Sequence, residues 1–165
     1  FDVEKIIGIN PAVSAFGKYK EWREDYYAKL VNFILTNYQN YYIFICWGPG
    51  ELEKAERIKQ MVEPEFQKKT VIIPNTTMKE LAYLITKFKL FITGDTGPAH
   101  LAALLNVKTA ALFGPSDPII NKPFNAIAIY KNVGCNPCRK RNCQDLRCQN
   151  ELTPEFVFEK LKNIL

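Results

Sequence analysis

Six short apolar runs, interleaved with stretches of helical spacing, constrain this chain more than any other feature. The runs cover residues 5–9, 42–46, 70–73, 90–93, 109–113 and 126–130, each of strand length. Between the first two, Trp22, Tyr26, Leu30, Phe33 and Ile34 recur at steps of three or four and predict an amphipathic helix. A second helix is expected over 51–62, with Leu52, Ala55, Ile58 and Val62 inward. A third opens at Thr77, where Thr77 and Glu80 have the spacing of a capping box, and turns Leu81, Leu84, Ile85 and Phe88 inward. A fourth is expected over 98–105, opened by Pro98, whose missing N–H is harmless at a first turn. The last starts at Thr153, Pro154 and Glu155 and runs to the C-terminus. Parallel neighbours need crossover connections, so this alternation predicts an α/β, Rossmann-like, mostly parallel sheet with helices on both faces.

A chain of 165 residues is the size of one such domain. No apolar run approaches the roughly 20 residues that cross a bilayer, and the first ten residues lack the basic-then-apolar pattern of a secretory signal. Cytoplasmic residence is the expectation. The formal net charge of +5 suits an anionic ligand or an acidic membrane surface.

Function is concentrated in the stretch FITGDTGPAHLAALLNVKTAALFGPSDP, residues 91–118. In a sheet of this kind ligands sit beyond the carboxyl ends of the strands, where helices begin. Here a strand ends at Thr93, a glycine turn carries Asp95 and Thr96, and the helix behind it offers amide donors and a positive dipole end to an anion. His100 follows Thr96 by one turn. Taken alone, the same residues also read as a helix cap, Asp95 or Thr96, with a packed histidine. The second Gly/Pro turn, FGPSDP, which the topology brings to the same edge, favours the binding site.

Asp95-Thr96-Gly97-Pro98-Ala99-His100 and the residues after it closely resemble the signature of glycosyltransferase family 9, the ADP-heptose:lipopolysaccharide heptosyltransferases. Lys20-Glu21-Trp22 resembles the family's Lys-x-Trp element, WGPGELEKA (47–55) its Gly-Pro-x-Glu loop, and CNPCRKRNC (135–143) a cysteine-bearing segment of heptosyltransferase II-like members. The resemblance implies the C-terminal, donor-binding half of a two-domain GT-B enzyme, with the acceptor domain and the catalytic base on an N-terminal half outside this sequence. It implies inverting transfer of a heptose or related sugar from an ADP-sugar donor to a lipopolysaccharide core acceptor, with no required cofactor. It further implies peripheral contact with the inner face of the inner membrane, and no nucleic-acid partner.

On that resemblance Lys20 is expected to reach the donor diphosphate as a point charge, with Thr96 and Gly97 donating to the same phosphates and Ser14 a further candidate donor. Asp95 is expected at sugar hydroxyls or in fixing the turn. His100 is expected either at phosphate or sugar or packed on its helix. Glu51 is expected at the ribose hydroxyls, although a carboxylate there also suits the helix dipole. Trp22 reads as core, and Cys46 as buried packing.

Cys135, Cys138, Cys143 and Cys148 are spaced C-x2-C-x4-C-x4-C, the spacing of a zinc knuckle with Cys in place of its usual His, and four thiolates can bind zinc tetrahedrally. With Arg139, Lys140, Arg141 and Arg147 beside them, they support an alternative class, a zinc-bearing nucleic-acid-binding module. Metal-free thiols and a disulfide-linked loop are the other readings, and a reducing compartment disfavours the last. A third alternative is the nucleotide-binding domain of another nucleotide-sugar enzyme, such as an epimerase.

Overall fold

The computed structural model describes residues 5–13, 15–138 and 140–165, so that Ser14 and Arg139 lie outside the described residues. Six strands, β1 Ile6–Asn10, β2 Tyr42–Ile45, β3 Thr70–Ile72, β4 Leu90–Gly94, β5 Thr109–Phe113 and β6 Ile127–Tyr130, form one parallel sheet in the order β3-β2-β1-β4-β5-β6. Strand order reverses between β1 and β4, which opens a crevice at their carboxyl ends. The three central strands β1, β4 and β5 are buried at every residue, as parallel strands covered on both faces must be.

The two-residue period of the strands divides the core between those faces. Ile7, Ile9, Ile43, Ile45, Leu90 and Ile92 meet α1 (Glu24–Asn37), α2 (Leu52–Met61) and α7 (Pro154–Leu161). Ile6, Cys46 and Phe91 meet α3 (Met78–Ile85) and α4 (Gly97–Leu104). The capping box at α3 is present, Thr77 N donating to Glu80 Oε2 at 2.7 Å and Glu80 N to Thr77 Oγ1 at 3.3 Å. Thr153 caps α7 by accepting from Phe156 N at 3.3 Å.

Some expectations shift in detail. The buried arc of α1 is Tyr27, Ala28, Leu30, Val31, Ile34 and Leu35, turned from the expected stripe because the helix is wedged between the sheet and both α2 and α7. Tyr26 and Phe33 are therefore only half-buried, and Phe33 stacks on Phe158 of α7 at 5.7 Å. Trp22 precedes the helix and is core as expected, its Nε1 donating to Leu152 O at 2.7 Å. Leu52, the first residue of α2, is exposed rather than inward. Two four-residue helices, α5 Pro118–Asn121 and α6 Arg147–Asn150, were not expected, because one turn is too short to show a period.

Candidate functional site

Loops leaving the carboxyl ends of β1, β2 and β4 enclose an open cavity of about 730 Å³. Lys20, Glu51, Asp95, Thr96 and Gly97 all line it. His100 does not: it is exposed farther along α4, and only the start of that helix meets the cavity.

Lys20 ends a short 3-10 turn, Ala15–Lys20, that carries the chain from β1 toward α1. Its Nζ donates to Asp95 Oδ2 at 2.6 Å, across the switch between β1 and β4. The Asp95 side chain is 8% exposed and the Lys20 side chain 24%, so the pair is held with the ammonium toward the cavity. An ammonium has three donors, and Asp95 occupies one of them.

Neither candidate cap acts on α4. Asp95 is committed to Lys20, and Thr96, at the N-cap position, makes no side-chain cap bond. Its hydroxyl lies 3.1 Å from that of Thr93, which accepts from Asn10 Nδ2 at 3.2 Å. This buried line of polar groups stitches the end of β1 to the turn after β4. A Cβ at Gly97 would meet nothing within 4 Å. The glycine here keeps space open at the cavity wall, where the turn alone does not demand it.

Glu51 is more occupied than expected. Its Oε1 accepts from Val13 N at 3.1 Å and its Oε2 from Gly48 N at 3.2 Å. One carboxylate therefore ties the loop after β1 to the loop after β2. Each oxygen has a second lone pair, so hydroxyl donors can still be accepted. Cations and carboxylates around the cavity are mostly paired, Lys54 with Glu21 and Arg57 with Glu24. Asn10, Arg57 and Met78 line it without having been singled out, and Trp47 and Lys54 line it without having been given roles within the 47–55 segment. Of these only Asn10 and Trp47, polar or aromatic at a strand end, carried a visible signal.

The cysteine segment follows β6. All five cysteines are free thiols. Burial first, and then the neighbouring Cys135, Cys138 and Cys143, push the Cys148 thiol up, so the four sulfurs share one region. Among the described residues no group of three or more His, Cys, Asp and Glu side chains is arranged to hold a metal ion.

Comparison with known proteins places this geometry. The model of glycosyltransferase family 9 (heptosyltransferase) matches residues 1–148. The chain belongs to that family. Lipooligosaccharide heptosyltransferase 2 of Campylobacter jejuni is 34% identical, aligned over 98% of this chain and 51% of its own length. Lipopolysaccharide heptosyltransferase 2 of Escherichia coli is 28% identical, over 97% of this chain and 47% of its own. The solved E. coli ADP-heptose lps heptosyltransferase II superposes with a TM-score of 0.77 at 26% identity, covering 96% of this chain and 46% of that one. This family 9 chain thus spans about half the length of the curated relatives it matches.

Proposed function

We propose that this chain is the donor-binding half of an inverting heptosyltransferase, and that the cavity takes the ADP portion of ADP-heptose. The observation that carries the reading is the Lys20–Asp95 pair, which presents an ammonium with two unused donors beside the uncapped start of α4. Charge gathers on the departing diphosphate during sugar transfer, and a fixed ammonium and helix-start amides are groups that compensate it.

In this reading the rest of the nucleotide follows the strand order. From β3 through β2 and β1 to β4 the cavity wall is Met78 and Leu81, then Trp47 and Glu51, then Lys20, then Asp95, Thr96 and Gly97. Neighbouring strand ends are about 4.8 Å apart. Apolar Met78, Leu81 and Trp47 suit a purine, Glu51 the ribose hydroxyls, and Lys20 with the start of α4 the phosphates. In this reading the acceptor site and the base that deprotonates the acceptor hydroxyl lie on the remaining half of the enzyme, and the acceptor is a lipopolysaccharide core sugar.

The reading extends to a cytoplasmic enzyme working peripherally at the inner membrane. The charge of +5 supports it, as do Ile119, Ile120 and Phe124, which are 92%, 71% and 79% exposed just after β5. Among the described residues no helix is long and apolar enough to cross a membrane.

Isothermal titration of the chain with ADP, GDP and UDP tests the donor assignment. Saturable binding that favours ADP is the expected result; equal binding of all three, or of none, would overturn it.

A further inference from the structure

Three side chains at the wall between β1 and β4 form a hydrogen-bond line with a fixed sense. Asn10 and Thr93 are register partners at the ends of these strands and are 2% and 0% exposed. Asn10 Nδ2 donates to Thr93 Oγ1 at 3.2 Å, and Thr93 Oγ1 lies 3.1 Å from Thr96 Oγ1. An amide nitrogen only donates, so the Thr93 oxygen accepts there and its own proton goes to Thr96, its other partner among the described residues. Thr96 therefore accepts from Thr93 and keeps its proton for the cavity that it lines.

That proton matters because donors are few at the start of α4. Pro98 has no N–H, and Ala99 N already donates to Thr96 O at 3.1 Å. A Thr96 hydroxyl turned the other way, donating to Thr93, would show the cavity only oxygen lone pairs next to the Asp95 carboxylate. The sense of the line thus decides whether the turn after β4 attracts an anion or repels it.

We propose that Asn10 and Thr93 are positioning residues for the donor diphosphate, holding the Thr96 hydroxyl with its proton toward the phosphate farthest from the purine. The inference rests on the donor reading above. There the ligand runs along the strand ends from Met78 to Thr96, so the β4 turn meets the last phosphate rather than the nucleoside. Thr93 does not itself line the cavity, and its effect on the ligand passes through Thr96. Holding one of three staggered rotamers is worth about threefold in affinity, and a hydroxyl that itself accepts a hydrogen bond is a stronger donor.

The test titrates ADP, and AMP, which lacks the last phosphate, into the wild-type chain, Thr93→Val, Thr93→Ser, Thr96→Val and the Thr93→Val/Thr96→Val double variant, with a thermal midpoint for each. Thr93→Val is expected to lower ADP affinity about fivefold, the equivalent of roughly 1 kcal/mol, while AMP affinity stays within about twofold and Thr93→Ser restores ADP binding. Added to Thr96→Val, the same substitution is expected to change ADP affinity less than about twofold, because the hydroxyl it acts through is gone. Asn10→Ala, which frees Thr93 to accept from Thr96 instead, is expected to show the same ADP-selective loss and serves should Thr93→Val fail to fold. ADP affinity unchanged in Thr93→Val and Asn10→Ala would overturn the proposal and leave the donor reading standing. A parallel fall for ADP and AMP, the mark of a merely structural role, would also overturn it, as would a Thr93 effect that persists without the Thr96 hydroxyl. Failure of the wild-type chain to bind ADP would remove the donor reading and this inference together.

Discussion

Lys20 Nζ stands 2.6 Å from Asp95 Oδ2, and the two residues reach each other from loops on adjacent strands, 75 positions apart in sequence. The carboxylate, almost out of solvent, is both an anchor for the lysine and a repulsive neighbour for any phosphate. Lys20→Ala removes the cation and leaves Asp95 unpaired beside the proposed diphosphate site, so both effects act in one direction. ADP affinity is expected to fall about 10- to 100-fold, the range of a charge-assisted hydrogen bond of about 1.5–3 kcal/mol. Asp95→Asn loses anchoring but also repulsion, and ADP affinity is expected to stay within about threefold, corresponding to ~0.7 kcal/mol. In the double variant the two losses are expected to be non-additive, the asparagine recovering part of the affinity lost on truncating Lys20. Additive titration results would contradict this coupling.

A second coupling holds the cysteine segment to the site. A Cβ on Gly114 would lie 2.6 Å from the Gln149 amide carbon, and Gln149, itself buried, donates Nε2 to Tyr19 O at 3.4 Å. Gly114→Ala is therefore expected to destabilise the chain by about 1 kcal/mol, the low end for overpacking, because the clashing amide is the end of a flexible side chain. Urea unfolding midpoints measure it. Adding Gln149→Ala is expected to return part of that loss; a double variant less stable than the sum of the singles would count against the contact.

Much of this arrangement is legible in the sequence, and the rest is not for definable reasons. The strands were readable because buried parallel strands are continuous apolar runs, and the caps at Thr77 and Thr153 because capping spans only three residues. Glu51 could be placed at the site but not assigned its partners: its contact with Val13 crosses 38 positions and depends on how two loops meet. His100 illustrates the opposite case. A four-residue step from Thr96 keeps a side chain near the same helix face, but it also moves it about 6 Å along the axis, beyond the cavity rim. The FGPSDP turn was readable as part of the same edge, but not the smaller cavity that Ser116 and Asp117 share with Cys138 and Arg141, whose walls come from three separate segments.

Stability in acid should depend on the contact between α1 and α2. Glu24 accepts from Arg57 Nε and a terminal nitrogen, both at 2.8 Å, and this pairing holds the Glu24 carboxyl below its usual range although partial burial opposes the shift. With the folded value depressed, the stabilisation is present above the unfolded carboxyl value of about 4.3 and is lost as pH falls through the folded value. Glu24→Gln is expected to lower stability at neutral pH and to flatten the loss between neutrality and pH 3. Urea midpoints at pH 7, 5, 4 and 3 for both proteins check this, and parallel pH curves would refute it.

The cysteines should separate by reactivity, because alkylation proceeds through the thiolate and needs access. Cys46 is fully buried, and burial pushes its thiol up to about 12, so at pH 8 roughly one molecule in ten thousand carries the thiolate. Cys148 is 6% exposed and its thiol is also raised, first by burial and then by the three neighbouring cysteines. Cys138 and Cys143 are half-buried, and Cys135 is exposed. Iodoacetamide labelling of the native chain at pH 8, followed by peptide mass spectrometry, is expected to modify Cys135 first, Cys138 and Cys143 next, and Cys148 and Cys46 last. Repeating the labelling with zinc present makes the same measurement decisive for the C-x2-C-x4-C-x4-C spacing. Joint protection of Cys135, Cys138, Cys143 and Cys148, with Cys46 unchanged, would identify a four-thiolate metal shell, whereas an unaltered order would establish that these thiols act without the metal. Cys46 labelling before Cys135 would instead contradict the burial of Cys46, just after β2, against Leu81 and Ile85 of α3.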